Sequence, residues 1–88
     1  MSYELEFKEK ALKKFDKLNP QIADQFIRKL EAILENPKIP KNKLSGSVDL
    51  YKIKLRSAGY RLVYQVIEDR VVILVLDVDR RDTIYKNT

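Results

Sequence analysis

The stretch Tyr51–Val66, YKIKLRSAGYRLVYQV, constrains what this chain can fold into more than any other. Apolar and polar residues alternate on both sides of Ala58-Gly59, which is the period of a half-buried strand. A glycine-bearing pair between two such runs signals a tight hairpin. A two-residue turn at Ala58-Gly59 sets the expected register: Arg56 opposite Arg61, Lys54 opposite Val63 and Lys52 opposite Gln65. Directly opposite residues share a face. One face therefore carries Lys52, Lys54, Arg56, Arg61 and Gln65, and the other Tyr51, Ile53, Leu55, Leu62, Tyr64 and Val66. The apolar face needs cover. The cationic face is either a solvated surface, which commonly carries Lys and Arg, or an anion site. Like charges directly opposite are unfavourable, so an Arg56–Arg61 pair favours the anion site.

The rest of the chain supplies the cover. Tyr3–Phe7 alternates and reads as a first strand. Ala11, Leu12, Phe15 and Leu18 recur at helical spacing within KEKALKKFDKL. Asn19-Pro20 ends that helix and starts the next, because Asn caps well and Pro suits the first helical position. The second helix presents Ile22, Phe26, Ile27, Leu30, Ile33 and Leu34 on one face and stops at Asn36-Pro37. Pro37–Asp49 reads as an irregular surface loop. Strands at Leu50–Arg56, Tyr60–Ile67 and Val71–Val78 follow, the last two joined by a two-residue turn at Glu68-Asp69. The expected fold is α+β, in the order β-α-α-β-β-β, with a two-helix hairpin on one face of a mainly antiparallel sheet. At 88 residues this is one domain, spanning 1–88, with a modest core.

Composition removes most ordinary chemistry. The chain has no His and no Cys, which excludes His acid–base work, Cys nucleophiles, disulfides and most zinc sites. The carboxylates are scattered, so neither a metal nor another cofactor is expected. A net charge of +5 and a pI of about 9.5 point to an acidic partner such as nucleic acid. VVILVL at 71–76 is too short to span a membrane, and MSYELEFKEK lacks the apolar stretch of a signal peptide, so a cytoplasmic location is expected. The helix lysines Lys10, Lys13, Lys14, Lys17 and Lys29 read as a solvated face.

KLSGSVDLYKIKLRSAGYRLVYQV, preceded by ALKKFDKL and LENPKIPKNKL, resembles the RelE toxins of bacterial type II toxin–antitoxin modules, within the RelE/ParE superfamily. The resemblance runs over essentially the whole chain and is most specific in the Lys-x-Lys and Gly-Tyr-Arg spacing. It implies a RelE/ParE-like fold and a ribosome-dependent endoribonuclease that cuts mRNA in the A site by attack of the ribose 2′-OH on the adjacent phosphate, inhibiting translation. It implies a RelB-like antitoxin from the same operon, contact with the 70S ribosome and mRNA, and operator DNA bound only as the toxin–antitoxin complex.

The candidate catalytic residues under this resemblance are Lys52, Lys54, Arg61, Arg81 and Tyr85, and the basic face and its surroundings add Arg56, Lys43, Arg80 and Gln65 as candidates for substrate binding. Such an enzyme must deprotonate the 2′-OH, stabilise the phosphorane and protonate the leaving oxygen without histidine. Crowded cations disfavour a protonated lysine, so Lys54, flanked by Lys52 and Arg56, is the candidate base. Lys52 and Arg61 then hold the phosphate. Arg81 stabilises the leaving group, since arginine almost never gives up its proton, and Tyr85 stacks on a base. Two departures from the family pattern stand out. Ser45 replaces a family cation in Leu44-Ser45-Gly46, and Tyr85 follows Arg81 closely where RelE toxins have a longer spacing and a further helix. Two alternatives stay open: a ParE-like inhibitor of DNA gyrase, which would share the fold, and a weakened homologue acting as a binding protein, of which Ser45 is the hint.

Overall fold

The computed structural model describes residues 2–46, 49–56 and 58–80. The elements are β1 (Glu4–Phe7), α1 (Glu9–Asp16), α2 (Pro20–Ala32), β2 (Leu50–Leu55), β3 (Tyr60–Ile67) and β4 (Val72–Arg80), with short 3₁₀ turns at Pro40–Asn42 and Glu68–Arg70. The four strands form one sheet in the order β1-β4-β3-β2, antiparallel except where β1 runs parallel to β4. The α+β architecture and the β-α-α-β-β-β order are as expected.

Local chemistry sets the helix ends. The Asn19 side chain accepts a hydrogen bond from the Gln21 amide at 2.9 Å, and Pro20 occupies the first turn of α2. That helix ends at Ala32, short of Asn36-Pro37, because the amides of Ile33 and Leu34 turn back to the carbonyls of Leu30 and Glu31 in a tightened last turn. The helices bury Ala11, Phe26 and Leu30 against Tyr51, Ile53, Leu62, Tyr64, Val66, Val75 and other residues of the apolar sheet face.

Both expected hairpin turns are longer than two residues. Leu55 pairs with Tyr60, and the Gly59 amide donates to the Leu55 carbonyl at 2.9 Å, closing a loop over 56–59. A two-residue type I′ turn needs positive φ at both central residues. Gly59 adopts φ 70°, but among the described non-glycine residues only Val71 has a positive φ, so Ala58 does not supply the second. The second connection has no glycine. It uses the 3₁₀ turn at Glu68–Arg70 and places Val71 at φ 56°, an uncommon setting for a β-branched residue. β4 carries one extra residue opposite Val63/Tyr64, where the β3 register shifts from Asp77 to Val75.

Tyr64 ties the irregular segment to the sheet. Its ring is fully buried and stacks on Tyr51 with centroids 5.5 Å apart, and its hydroxyl donates to the buried Pro37 carbonyl at 2.8 Å. Burial, helped by Tyr51, pushes the phenol up from 10.0 to about 12. A raised folded-state pKa means that the contribution is complete below about pH 10 and lost as pH climbs toward 12. Tyr64→Phe is expected to cost about 1–2 kcal/mol at neutral pH, because the carbonyl loses its partner. Urea unfolding should show that cost at pH 7 and a shallower loss of stability than wild type between pH 10 and 12. Equal alkaline slopes would remove Tyr64 as the titrating group.

Candidate functional site

The site grows from the two-residue periodicity of β2 and β3. Lys54 lies directly opposite Arg61, Lys52 opposite Val63 and Leu50 opposite Gln65. The register differs by two residues from the one expected, so each side chain keeps its face while its partner changes. Arg56 is therefore not opposite Arg61. It sits exposed in the loop after β2, because Ala58 does not support the shorter turn. The expected like-charge pair of Arg56 with Arg61 does not form, and Lys54 takes the position opposite Arg61.

β2 is an edge strand. Its first residues are covered by the preceding loop, where the Leu44 amide donates to the Leu50 carbonyl at 2.9 Å and Lys43 bridges Tyr51. Beyond that cover, a groove of about 590 Å³ opens between the end of α2, the turn at 40–42 and β2. Ile33, Ile39 and Ile53 give it an apolar floor. Its charged lining is Lys29, Lys41, Lys52, Lys54 and Arg56, with no carboxylate among the lining residues. Lysine on an exposed strand also guards against edge pairing, but five cations around one concavity exceed that need. Lys29, expected on a solvated face, belongs to this wall.

The remaining expected residues divide. Arg61 is half-buried on the same face, and its Nε is buried with no hydrogen-bond partner. Gln65 shares the face but lies four residues along β3 from Arg61, about 13 Å at strand rise. It lines a different concavity, with Asp49, Glu68 and Asp69 around it. Lys43 pairs with Tyr51, and Arg80 with Tyr60, which groups both by register with the helix-facing set. Arg81 and Tyr85 lie outside the described residues.

Two acidic residues on this face escaped the sequence reading. Asp79 lies directly opposite Arg61, and Asp77 opposite Val63. Their i, i+2 spacing in LDVDRR was the available signal, since alternate strand residues share a face. Both are engaged by α1. Lys14 Nζ lies 3.1 Å from Asp77 Oδ1 and 3.2 Å from Asp79 Oδ2, and Lys10 Nζ lies 3.9 Å from Asp77 Oδ2. β1 covers β4 only from Val72 to Val75, and α1 begins just after β1. Lys10 and Lys14, one helical turn apart, thus face the stretch of β4 that β1 leaves open. The hydrogen bond to Asp77 raises the Lys14 pKa against its partial burial. Burial alone would raise Asp79, but the Arg80 amide and Lys14 hold its carboxyl below the usual range.

Among the described residues no group of three or more His, Cys, Asp or Glu is placed to hold a metal ion, and no helix is long and apolar enough to cross a membrane.

Residues 5–85 match the family described as ParE toxin of type II toxin–antitoxin system. The chain is 52% identical to the mRNA interferase toxin RelE of Escherichia coli over 82 residues, covering 93% of this chain and 86% of that protein. The crystal structure of the isolated E. coli RelE toxin superposes with a TM-score of 0.88 at 49% identity, covering 98% of this chain and 94% of the other. RelE in the intact E. coli RelBE toxin–antitoxin complex gives 0.87 at 52% identity, covering 90% and 96%. The paired cations of Lys-Ile-Lys and Gly-Tyr-Arg thus sit on a shared fold, and this chain belongs to the RelE toxins within the ParE toxin family of type II toxin–antitoxin systems.

Proposed function

We propose that the chain, acting as one domain over 1–88, is the toxin of a type II module and cuts mRNA in the ribosomal A site. The observation that carries this reading is the Lys54–Arg61 pair, with Lys52 on the same face beside a groove lined by cations. Lys54 takes the proton of the ribose 2′-OH. The O2′–P bond forms and the P–O5′ bond breaks, giving a 2′,3′-cyclic phosphate and a 5′-OH. Lys52 and Arg61 hold the phosphate and its added charge. Arg81 stabilises the departing O5′, which takes its proton from solvent water, and Tyr85 stacks on a base.

The partner is an antitoxin with an acidic or amphipathic segment that covers the helix and sheet surfaces. Solved RelBE complexes of the similar E. coli toxin support this, and operator DNA is bound through that complex. A ribosomal target implies action in the cytoplasm.

The test is cleavage of an mRNA by purified protein, with and without programmed ribosomes holding an empty A site. Ribosome-dependent cutting that is lost when Lys54→Ala is combined with Arg81→Ala is the expected result. No cutting under either condition overturns the nuclease and turns attention to a gyrase supercoiling assay.

A further inference from the structure

Arg61 has an acid directly across the sheet and does not use it. Residues opposite one another in an antiparallel pair have Cβ atoms about 4.5–5.5 Å apart, and opposite charges there normally interact. Asp79 occupies that position. Yet among the described residues no carboxylate forms an ion pair with Arg61, and its buried Nε is unpartnered. Asp79 is spent elsewhere: Oδ2 on Lys14 at 3.2 Å and Oδ1 on the Arg80 amide at 2.9 Å. Asp77, one row further along the same face, is held in the same way by Lys14 and by the Val78 amide at 2.9 Å. Lys14 is half-buried and sits between the two carboxylates.

We propose that Lys14 is a positioning residue, which draws Asp77 and Asp79 toward α1 and so keeps the Arg61 guanidinium unpaired for a phosphate. The inference rests on the nuclease reading for what Arg61 binds, but not for the arrangement itself. An Arg–carboxylate pair on this face would be doubly costly to the reaction. It would occupy the planar fork that fits a phosphate, and it would place negative charge beside a negative substrate. Lys14 removes both effects without touching the substrate. The arrangement also explains how a cationic site tolerates two acids on its own face.

The experiment separates this role from structural support. Lys14→Met frees Asp79 and is expected to lower ribosome-dependent cutting at least tenfold, chiefly as a rise in KM. Adding Asp79→Asn to Lys14→Met is expected to restore most of the activity, and Lys14→Arg to retain it. Neutralising a stranded carboxylate also repairs a structural ion pair, so the folded fraction of each variant is measured by circular dichroism: a merely structural lysine would lower the amount of folded toxin and leave KM unmoved. Full activity in Lys14→Met, or a loss that Asp79→Asn does not repair, overturns the proposal.

A second readout needs no catalysis. The Arg61 Nε–H signal in a ¹⁵N–¹H spectrum of the free protein should exchange slowly and shift in Lys14→Met, and return to its wild-type position in the double variant. An unmoved signal overturns the proposal even if the protein proves not to cut RNA. A moved signal in an inactive protein upholds the arrangement and sinks the nuclease reading alone.

Discussion

Lys54→Ala is expected to slow ribosome-dependent mRNA cutting by about 100- to 10,000-fold, the usual contribution of a positioned general base. That is roughly 3–5 kcal/mol of lost transition-state stabilisation. The side chain is half-buried on an edge strand and points away from the core set, so the fold should survive. Lys54→Arg decides what the residue does. Arginine keeps the cation but does not accept a proton at working pH. If Lys54 is the base, Lys54→Arg stays as slow as Lys54→Ala. If it only holds the phosphate, the arginine restores most of the rate. A single-turnover pH profile adds the sign: a base lysine gives a rate that rises with pH until its amine is neutral, and the arginine variant loses that rise. Near wild-type cutting by both variants would move the base elsewhere on the face.

How much of this was legible in the sequence depends on which physical rule did the work. The two faces of the β2–β3 hairpin follow from a period of two, and parity survives a register error of two residues. Lys52, Lys54 and Arg61 were therefore placed on their face although Lys54 was given the wrong partner. Register itself depends on loop length, which hinged on whether Ala58 would take positive φ. The parallel docking of β1 on β4 is a long-range choice with no local signature. The same holds for the Lys14–Asp77–Asp79 cluster. Lys14 is far from the two acids in sequence, and alone it reads as an ordinary surface charge. Gln65 shows the converse limit. Sharing a face with Arg61 did not give it the same surroundings, because acids from the β3–β4 connection gather at its end of the strand.

The reach of the core into the site gives the second large effect. Phe26→Ala is expected to destabilise the fold by about 3–5 kcal/mol, as for other buried Phe truncations. Phe26 is fully buried, and with Leu30 and Ile33 it forms the i, i+4, i+7 stripe that seats α2 on the sheet. A chain of 88 residues has a total stability of roughly 4–13 kcal/mol, so this single change removes a large share. Urea unfolding followed by circular dichroism measures it. Leu12→Ala is the control: that side chain is 44% exposed, and its loss should stay within about 0.5 kcal/mol. A Phe26→Ala cost near that of Leu12→Ala would contradict the packing of α2. The consequence for function is specific. Lys29 stands on α2 and Ile33 directly follows it, and both line the groove, so Phe26→Ala should lower cutting through the fraction of folded toxin rather than through the chemical step. Phe26→Leu, which refills most of the volume at under about 1.5 kcal/mol, should return the rate per molecule to that of the wild type. If it does not, the seating of α2 shapes the reacting geometry itself, and the groove wall belongs to the catalytic machinery.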